Sequence, residues 1–157
     1  MLTKIKSLLK NRDFISVATA DLSGRPNAAP KFLLKIEDTV IHLIDYTKGR
    51  TWENLKNNPQ VSLSFMDTES LHGYQINGNV AIIEKGLVYK AICQELLEKE
   101  IALSTKRILE GVTQEKAHQS FEVGISDEVV IFKITIEEII EIGPSGEKKI
   151  SKVDDLV

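Results

Sequence analysis

Three β-prone runs follow one another near the start of this chain with almost nothing between them, and that spacing limits the folds open to it. Residues 14–20, 27–36 and 39–46 are rich in apolar and β-favouring side chains. Asp21-Leu22-Ser23-Gly24-Arg25-Pro26 separates the first two and Glu37-Asp38 the second two. Ser-Gly and Pro mark the first connection as a turn. Connections this short cannot carry a crossover, so neighbouring strands must run antiparallel. A fourth strand is expected over residues 60–66, where Val61, Leu63 and Phe65 alternate with Ser62 and Ser64. A fifth is expected over 74–84, with Gly78 as a bulge or a place of close backbone approach. Residues 129–142 supply a last β segment or pair.

Six or so strands in 157 residues close most economically into a barrel, which hides their edges. Helices should pack outside it. Residues 1–12 carry Leu2, Ile5, Leu8 and Leu9 at helical spacing. A short helix is expected over 51–57, stopped before Pro59. A longer one should run over 87–103, followed by a helical region as far as Gln119. Residues 147–155 are charged with few apolar side chains and read as a mobile tail. The expected class is mainly β with helices (α+β): one barrel domain over 1–143, a helix-rich excursion at 87–119, and a charged tail at 144–157.

A 42% apolar share and a net charge of -3 argue against disorder and against a dominant attraction to nucleic acid or membrane. No dense basic stripe with interleaved aromatics points to nucleic acid. No apolar run approaches the ~20 residues of a membrane span. The N-terminus lacks a continuous apolar signal region. Cys93, the only cysteine, permits a reducing compartment. A soluble cytoplasmic protein is the expectation. His42, His72 and His118 make no recognisable metal spacing, and His42, alternating within a strand, reads as a satisfied structural histidine. Cys93, among Ala91, Ile92 and Leu96, reads as an inert packed thiol.

The chemistry concentrates between the third and fourth strands. Thr47-Lys48-Gly49-Arg50-Thr51 places two cations, two hydroxyls and a glycine where a short helix begins. Unpaired amides and the positive end of the helix dipole favour an anion there. Arg50 can offer a planar fork to two phosphate oxygens, which Lys48 cannot. The plain alternative makes Lys48, Arg50 and Lys56 a solvated face and Thr51 an ordinary N-cap. Trp52 reads as a packing residue.

Several segments together resemble the split-barrel flavoproteins related to pyridoxamine 5'-phosphate oxidase. Thr19 to Pro30 carries the family's T-x-D-x-x-G-x-P turn. Arg50-Thr51-x-x-Asn54-Leu55-x-x-Asn58-Pro59-x-Val61 is similar to its phosphate-binding helix and following strand, and Tyr74 to Ala81 to its later I-x-G-x-A strand. The resemblance implies a split β-barrel holding FMN at a homodimer interface. By position, Arg50 and Thr51 would hold the phosphate, with Thr47 and Lys48 in support. Asn54 would order the loop or reach the ribityl chain. Pro30, Lys31 and Phe32 would border the isoalloxazine, and Tyr46 would flank it. For Lys31 a second reading, a lysine pointing off the strand into solvent, is preferred.

The family's C-terminal Arg-x-His-x-Arg motif for pyridoxine is absent from Gly143-Pro144-Ser145-Gly146-Glu147-Lys148-Lys149. The expectation is thus an FMN oxidoreductase other than the true oxidase, passing hydride or electrons from a nicotinamide or small-molecule donor to an unidentified acceptor. The cofactor would carry the reaction, so no catalytic side chain is assigned. Two rivals share the barrel: an F420-binding reductase, and a non-catalytic flavin-binding or interaction module. Haem is the weakest option, because no histidine sits in a ligand context.

Overall fold

The computed structural model describes residues 1–114 and 129–155, with side chains for 1–111 and 129–154. Six strands form the barrel: β1 (Phe14–Ala20), β2 (Pro26–Glu37), β3 (Val40–Asp45), β4 (Gln60–Asp67), β5 (His72–Ile83) and β6 (Val130–Ile142). Around the wall they follow the order β1-β2-β3-β6-β5-β4, all antiparallel, and β4 returns to β1. The closing seam joins β3 to β6, from Val40 opposite Thr135 to Asp45 opposite Val130. The expected six-stranded antiparallel split barrel of α+β class is present.

Among the described residues three helices surround it: α1 (Leu2–Lys10), α2 (Arg50–Asn57) and α3 (Leu87–Gln114). α1 closes one end of the barrel. Its Ile5 and Leu9 are 0% and 1% exposed and join the interior cluster of Ile15, Leu33, Leu43, Leu63 and Ile76. Each such side chain contributes about 1.5–3 kcal/mol on burial. Lys4 ties the helix to the far end of β6 through Glu141, at 2.5 Å. α2 closes the opposite end. Leu55 enters the same cluster, and Asn58 Nδ2 donates to the Ala20 carbonyl at the end of β1.

α3 lies against the outside of β2, β3 and β6. Its Ile92 and Leu96 pack on Phe32, Leu34, Ile44 and Ile131 in a second cluster. That cover explains why β2 buries Phe32, Leu33 and Leu34 in succession instead of alternating. α3 also runs on past residue 103 to Gln114; the last part of the expected helical region, with His118, lies outside the described residues. Cys93 packs against the second cluster, half-buried.

Two expectations need correction. The charged tail is not a loose end: β7 (Lys148–Lys152) pairs with β6, and a turn of 3-10 helix (Val153–Asp155) follows. The hairpin is set by its turn, where the amides of Gly143 and Gly146 bond to the carbonyls of Glu147 and Gly143, with Gly146 at φ +86°. Backbone pairing makes this edge strand, and its lysines suit a solvent-facing edge. His42 is buried as expected but not satisfied. Among the described residues its Nδ1 has no hydrogen-bond partner, and burial, aided by Lys35, holds its pKa below the usual value.

Gly78 is the expected place of close approach, while the bulge opposite it belongs to β6, where Glu137 is the extra residue. The β5–β6 register shifts between Asn77 and Gly78, and a methyl at Gly78 would run into the Thr135 carbonyl oxygen. That atom belongs to the β6 backbone beside the closing seam, so relief would require the wall itself to move. Gly78→Ala should destabilise the fold by about 1–3 kcal/mol in urea unfolding, with little change in m-value.

Candidate functional site

The anion-favouring segment lies where β3 leads into α2, at the α2 end of the barrel. Gly49 is the N-cap and no side chain caps the helix, so Thr51 is not the N-cap. The first helical bond runs from the Glu53 amide to the Gly49 carbonyl. The amides before it therefore have no partner within the helix, and the dipole's positive end faces outward with them.

Arg50 is exposed, and among the described residues nothing forms a hydrogen bond or ion pair with its guanidinium. Beside it lies an open cleft of about 290 Å³, between α2 and the β1–β2 turn, lined by Asp21, Arg25, Arg50, Glu53, Asn54 and Asn57. Arg25 was not expected here. It occupies the variable position of the Gly-x-Pro turn, and the fold alone brings it across to α2. Asp21 is committed to that turn: its Oδ1 accepts from the Ser23 amide and hydroxyl and the Arg25 amide, and the Ser23 hydroxyl foremost draws its pKa down.

The other expected residues separate into distinct settings. Thr51 is 2% exposed, and its hydroxyl accepts a hydrogen bond from Asn27 Nδ2 at 3.1 Å. Asn54 is buried and donates to Thr19 Oγ1 at 3.1 Å, which fastens α2 onto β1. Thr47 is exposed, and its amide donates to Asp45 Oδ1. Lys48 turns away to Glu84 at 3.2 Å. Glu84 also accepts from Trp52 Nε1, and Lys56 sits 4.4 Å from the Trp52 ring centre, so Trp52 packs as expected.

Pro30 is exposed on the outer face of β2, opposite Ser16 of β1. Phe32 shares that parity but is buried beneath α3, edge-on to Phe14 and Tyr46. The Tyr46 hydroxyl donates to Glu100 at 2.6 Å; burial first, then this carboxylate, pushes its pKa upward. Phe14, Ser16, Ala18, Ala28, Pro30, Ser64 and Met66 form a shallow outer face of small and apolar side chains next to this aromatic group.

Lys31 does not point into solvent. It has the interior parity of Leu33, and its ammonium lies 2.6 Å from Asp45 Oδ2, with side-chain exposures of 12% and 6%. The contact is ionic and not a well-aligned hydrogen bond, since Oδ2 has no partner in hydrogen-bonding geometry. Asp45 was missed from the sequence. It joins Lys31 to the Thr47 amide and so steadies the loop entering α2. Removing one member of a buried pair strands the other charge, at a cost of about 3–5 kcal/mol. Asp45→Ala should lose about that much in denaturant unfolding, and the double variant Lys31→Met/Asp45→Leu should recover most of it.

Among the described residues no group of three His, Cys, Asp or Glu is placed to hold a metal, and no helix is long and apolar enough to cross a membrane. A search of curated proteins finds no match. Among solved structures, HupZ of Group A Streptococcus is 26% identical over 92% of this chain and 95% of its own, with a TM-score of 0.62. A Clostridium acetobutylicum protein related to general stress protein 26, of the pyridoxinephosphate oxidase family, is 19% identical over 99% and 96%, with a TM-score of 0.68. A pyridoxamine 5'-phosphate oxidase-related, FMN-binding protein of Nostoc punctiforme is 12% identical over 94% and 90%, with a TM-score of 0.55. The family model described as pyridoxamine 5'-phosphate oxidase matches residues 1–143, which span all six barrel strands and α1 to α3, and the chain belongs to that family.

Proposed function

We propose that this protein binds FMN as a homodimer and serves as an oxidoreductase for a small acceptor, with a nicotinamide or small-molecule donor. One observation carries the reading: Arg50 stands unpaired among the described residues at an uncapped helix start, with Arg25 across the cleft. A flavin phosphate is close to dianionic at neutral pH and matches both the guanidinium fork and the open amides. Glu53 and Asp21 also line the cleft, so the phosphate belongs at its Arg50 mouth and not in its depth. The fit falls mainly to Arg50 and the amides, because Lys48 is engaged by Glu84 and Lys31 by Asp45. Thr51 and Asn54 hold α2 in place instead of reaching out.

The outer face running from Ala28 and Pro30 to Phe14 offers a flat apolar bed beside Tyr46 for the ring. Phe14 and Met66, 54% and 48% exposed, extend that bed into a patch that a second subunit would cover. The Nostoc neighbour described as FMN-binding supports the choice of cofactor. FMN, when bound, supplies the hydride and one-electron chemistry. The chain's own residues bind its tail, orient it along β2 and shield its face from water. A cytoplasmic location goes with this reading.

The purified protein should carry a yellow chromophore, released on denaturation with the spectrum of a flavin and not of a deazaflavin or porphyrin. Protein that stays colourless after incubation with FMN would overturn the proposal. Arg50→Ala should weaken FMN binding about 10- to 100-fold, the worth of a lost charge-assisted bond, while leaving the unfolding midpoint in place. Light scattering of the loaded protein should give the mass of two chains.

A further inference from the structure

The opposite end of the barrel carries a second cation-lined cavity that the FMN reading leaves unused. A cleft of about 340 Å³ opens between α1, β2 and α3. Its lining is largely apolar, with Ile36 and the edge of Leu34 partly exposed above the buried Leu9 and Leu33, and its rim carries Lys6, Lys10, Lys35 and Lys99.

These lysines are not equivalent. Lys35 is already neutralised, with Glu95 at 2.7 Å and Glu37 at 3.2 Å. Lys6 has only Asp38 at 3.6 Å, and that carboxylate is fully exposed. Lys10 and Lys99 have no carboxylate within ion-pair distance among the described residues. Lys99 is the unusual one. Its ammonium is half-buried, donates to the carbonyls of Leu33 at 2.6 Å and Leu34 at 3.0 Å, and lies 4.9 Å from the Phe32 ring centre. Burial pulls its pKa below the usual lysine value, and Asp13 opposes this only from beyond ion-pair distance. A half-buried cation held by neutral carbonyls and without a counter-ion still favours an anion beside it.

We propose that this cleft binds a small organic monocarboxylate with an apolar body, its carboxylate on Lys99 and its chain on Leu9, Leu33, Leu34 and Ile36. With two of its protons given to carbonyls, Lys99 has one left to donate. The Leu33 and Leu34 carbonyl oxygens beside it repel further negative oxygens, which favours a single carboxylate over a phosphate dianion. Lys6 and Lys10 add attraction from the rim without bidentate geometry, again suiting a compact monoanion. The apolar lining requires an aliphatic or aromatic body in place of a hydrated one such as acetate. The cleft opens toward α1, away from the Arg50 end where the flavin phosphate is placed, and it comes nearest the flavin bed at Phe32, whose ring lies 4.9 Å from the Lys99 ammonium.

Octanoate is the probe, titrated calorimetrically into the full chain with and without saturating FMN. One octanoate should bind per chain in both states, and 1-octanol, which lacks the charge, should bind at least tenfold more weakly. Lys99→Met should weaken octanoate at least tenfold. Because that variant also frees two strand carbonyls, Lys6→Met/Lys10→Met gives a second arm on residues that hold no backbone group and should weaken binding about threefold. Octanoate should also raise the titration midpoint of Lys99 followed by NMR. Equal affinity for octanoate and octanol, or unchanged affinity in both lysine variants, would overturn the proposal. Competition between octanoate and FMN would overturn it too, by moving the ligand into the flavin site. Protein that fails to bind FMN but binds octanoate as described would refute only the flavin reading.

Discussion

The seam between β3 and β6 is the contact on which the rest of the structure depends. Without it the remaining strands form an open, twisted sheet with two bare edges, and the interior cluster loses its enclosure. β6 can make the seam because it is long enough to serve three neighbours: its first half lies between β3 and β5, and its second half between β5 and β7. The change of partner occurs next to the bulge opposite Gly78, where the two backbones approach too closely for any side chain. A single missing Cβ thus allows one strand to belong to the barrel along half its length and to an exposed hairpin along the other.

Closure also determines what the helices can do. A barrel has two open ends and a curved exterior, and each helix takes one of these places. α1 and α2 fill the ends, leaving their polar faces and termini at the rims, while α3 covers the outer wall of β2, β3 and β6. The cationic clefts arise at these junctions. At the α2 end the helix start faces the β1–β2 turn and brings Arg50 toward Arg25. At the α1 end, α3 lays Lys99 across the β2 carbonyls. Cations gather where helices meet barrel rims because the interior of the wall offers mostly packed apolar side chains.

Much of this was legible in the residues. Short connections gave the antiparallel order, alternation gave the strands, and Gly78 announced its close approach. The tail was not legible, because its strand is made by backbone pairing and a Gly-turn, while its side chains are those of a solvated segment. Lys31 was misread for a related reason. Counting back from the Glu37–Val40 pair with no irregularity places Phe32 opposite Asp45 and Lys31 opposite Tyr46. The shift between Leu33 and Lys35 moves the register by one, so Phe32 meets Ile44 and Lys31 faces Asp45. A bulge leaves no composition signal at this place, and it converts an apparent surface lysine into an interior one. Arg25 was missed because only the closed barrel carries its turn to α2.

That interior ion pair has a consequence for how the chain finds its pairing. A hairpin that formed in the unshifted alignment would turn Lys31 to the outer face beside Tyr46 and leave Asp45 inside, beside Phe32, without its cation. An uncompensated carboxylate in such surroundings costs several kcal/mol, more than a few misaligned backbone bonds could return. The attraction between Lys31 and Asp45 therefore acts as a proofreading clasp: it favours the shifted alignment, the one in which the lysine and the aspartate share the interior.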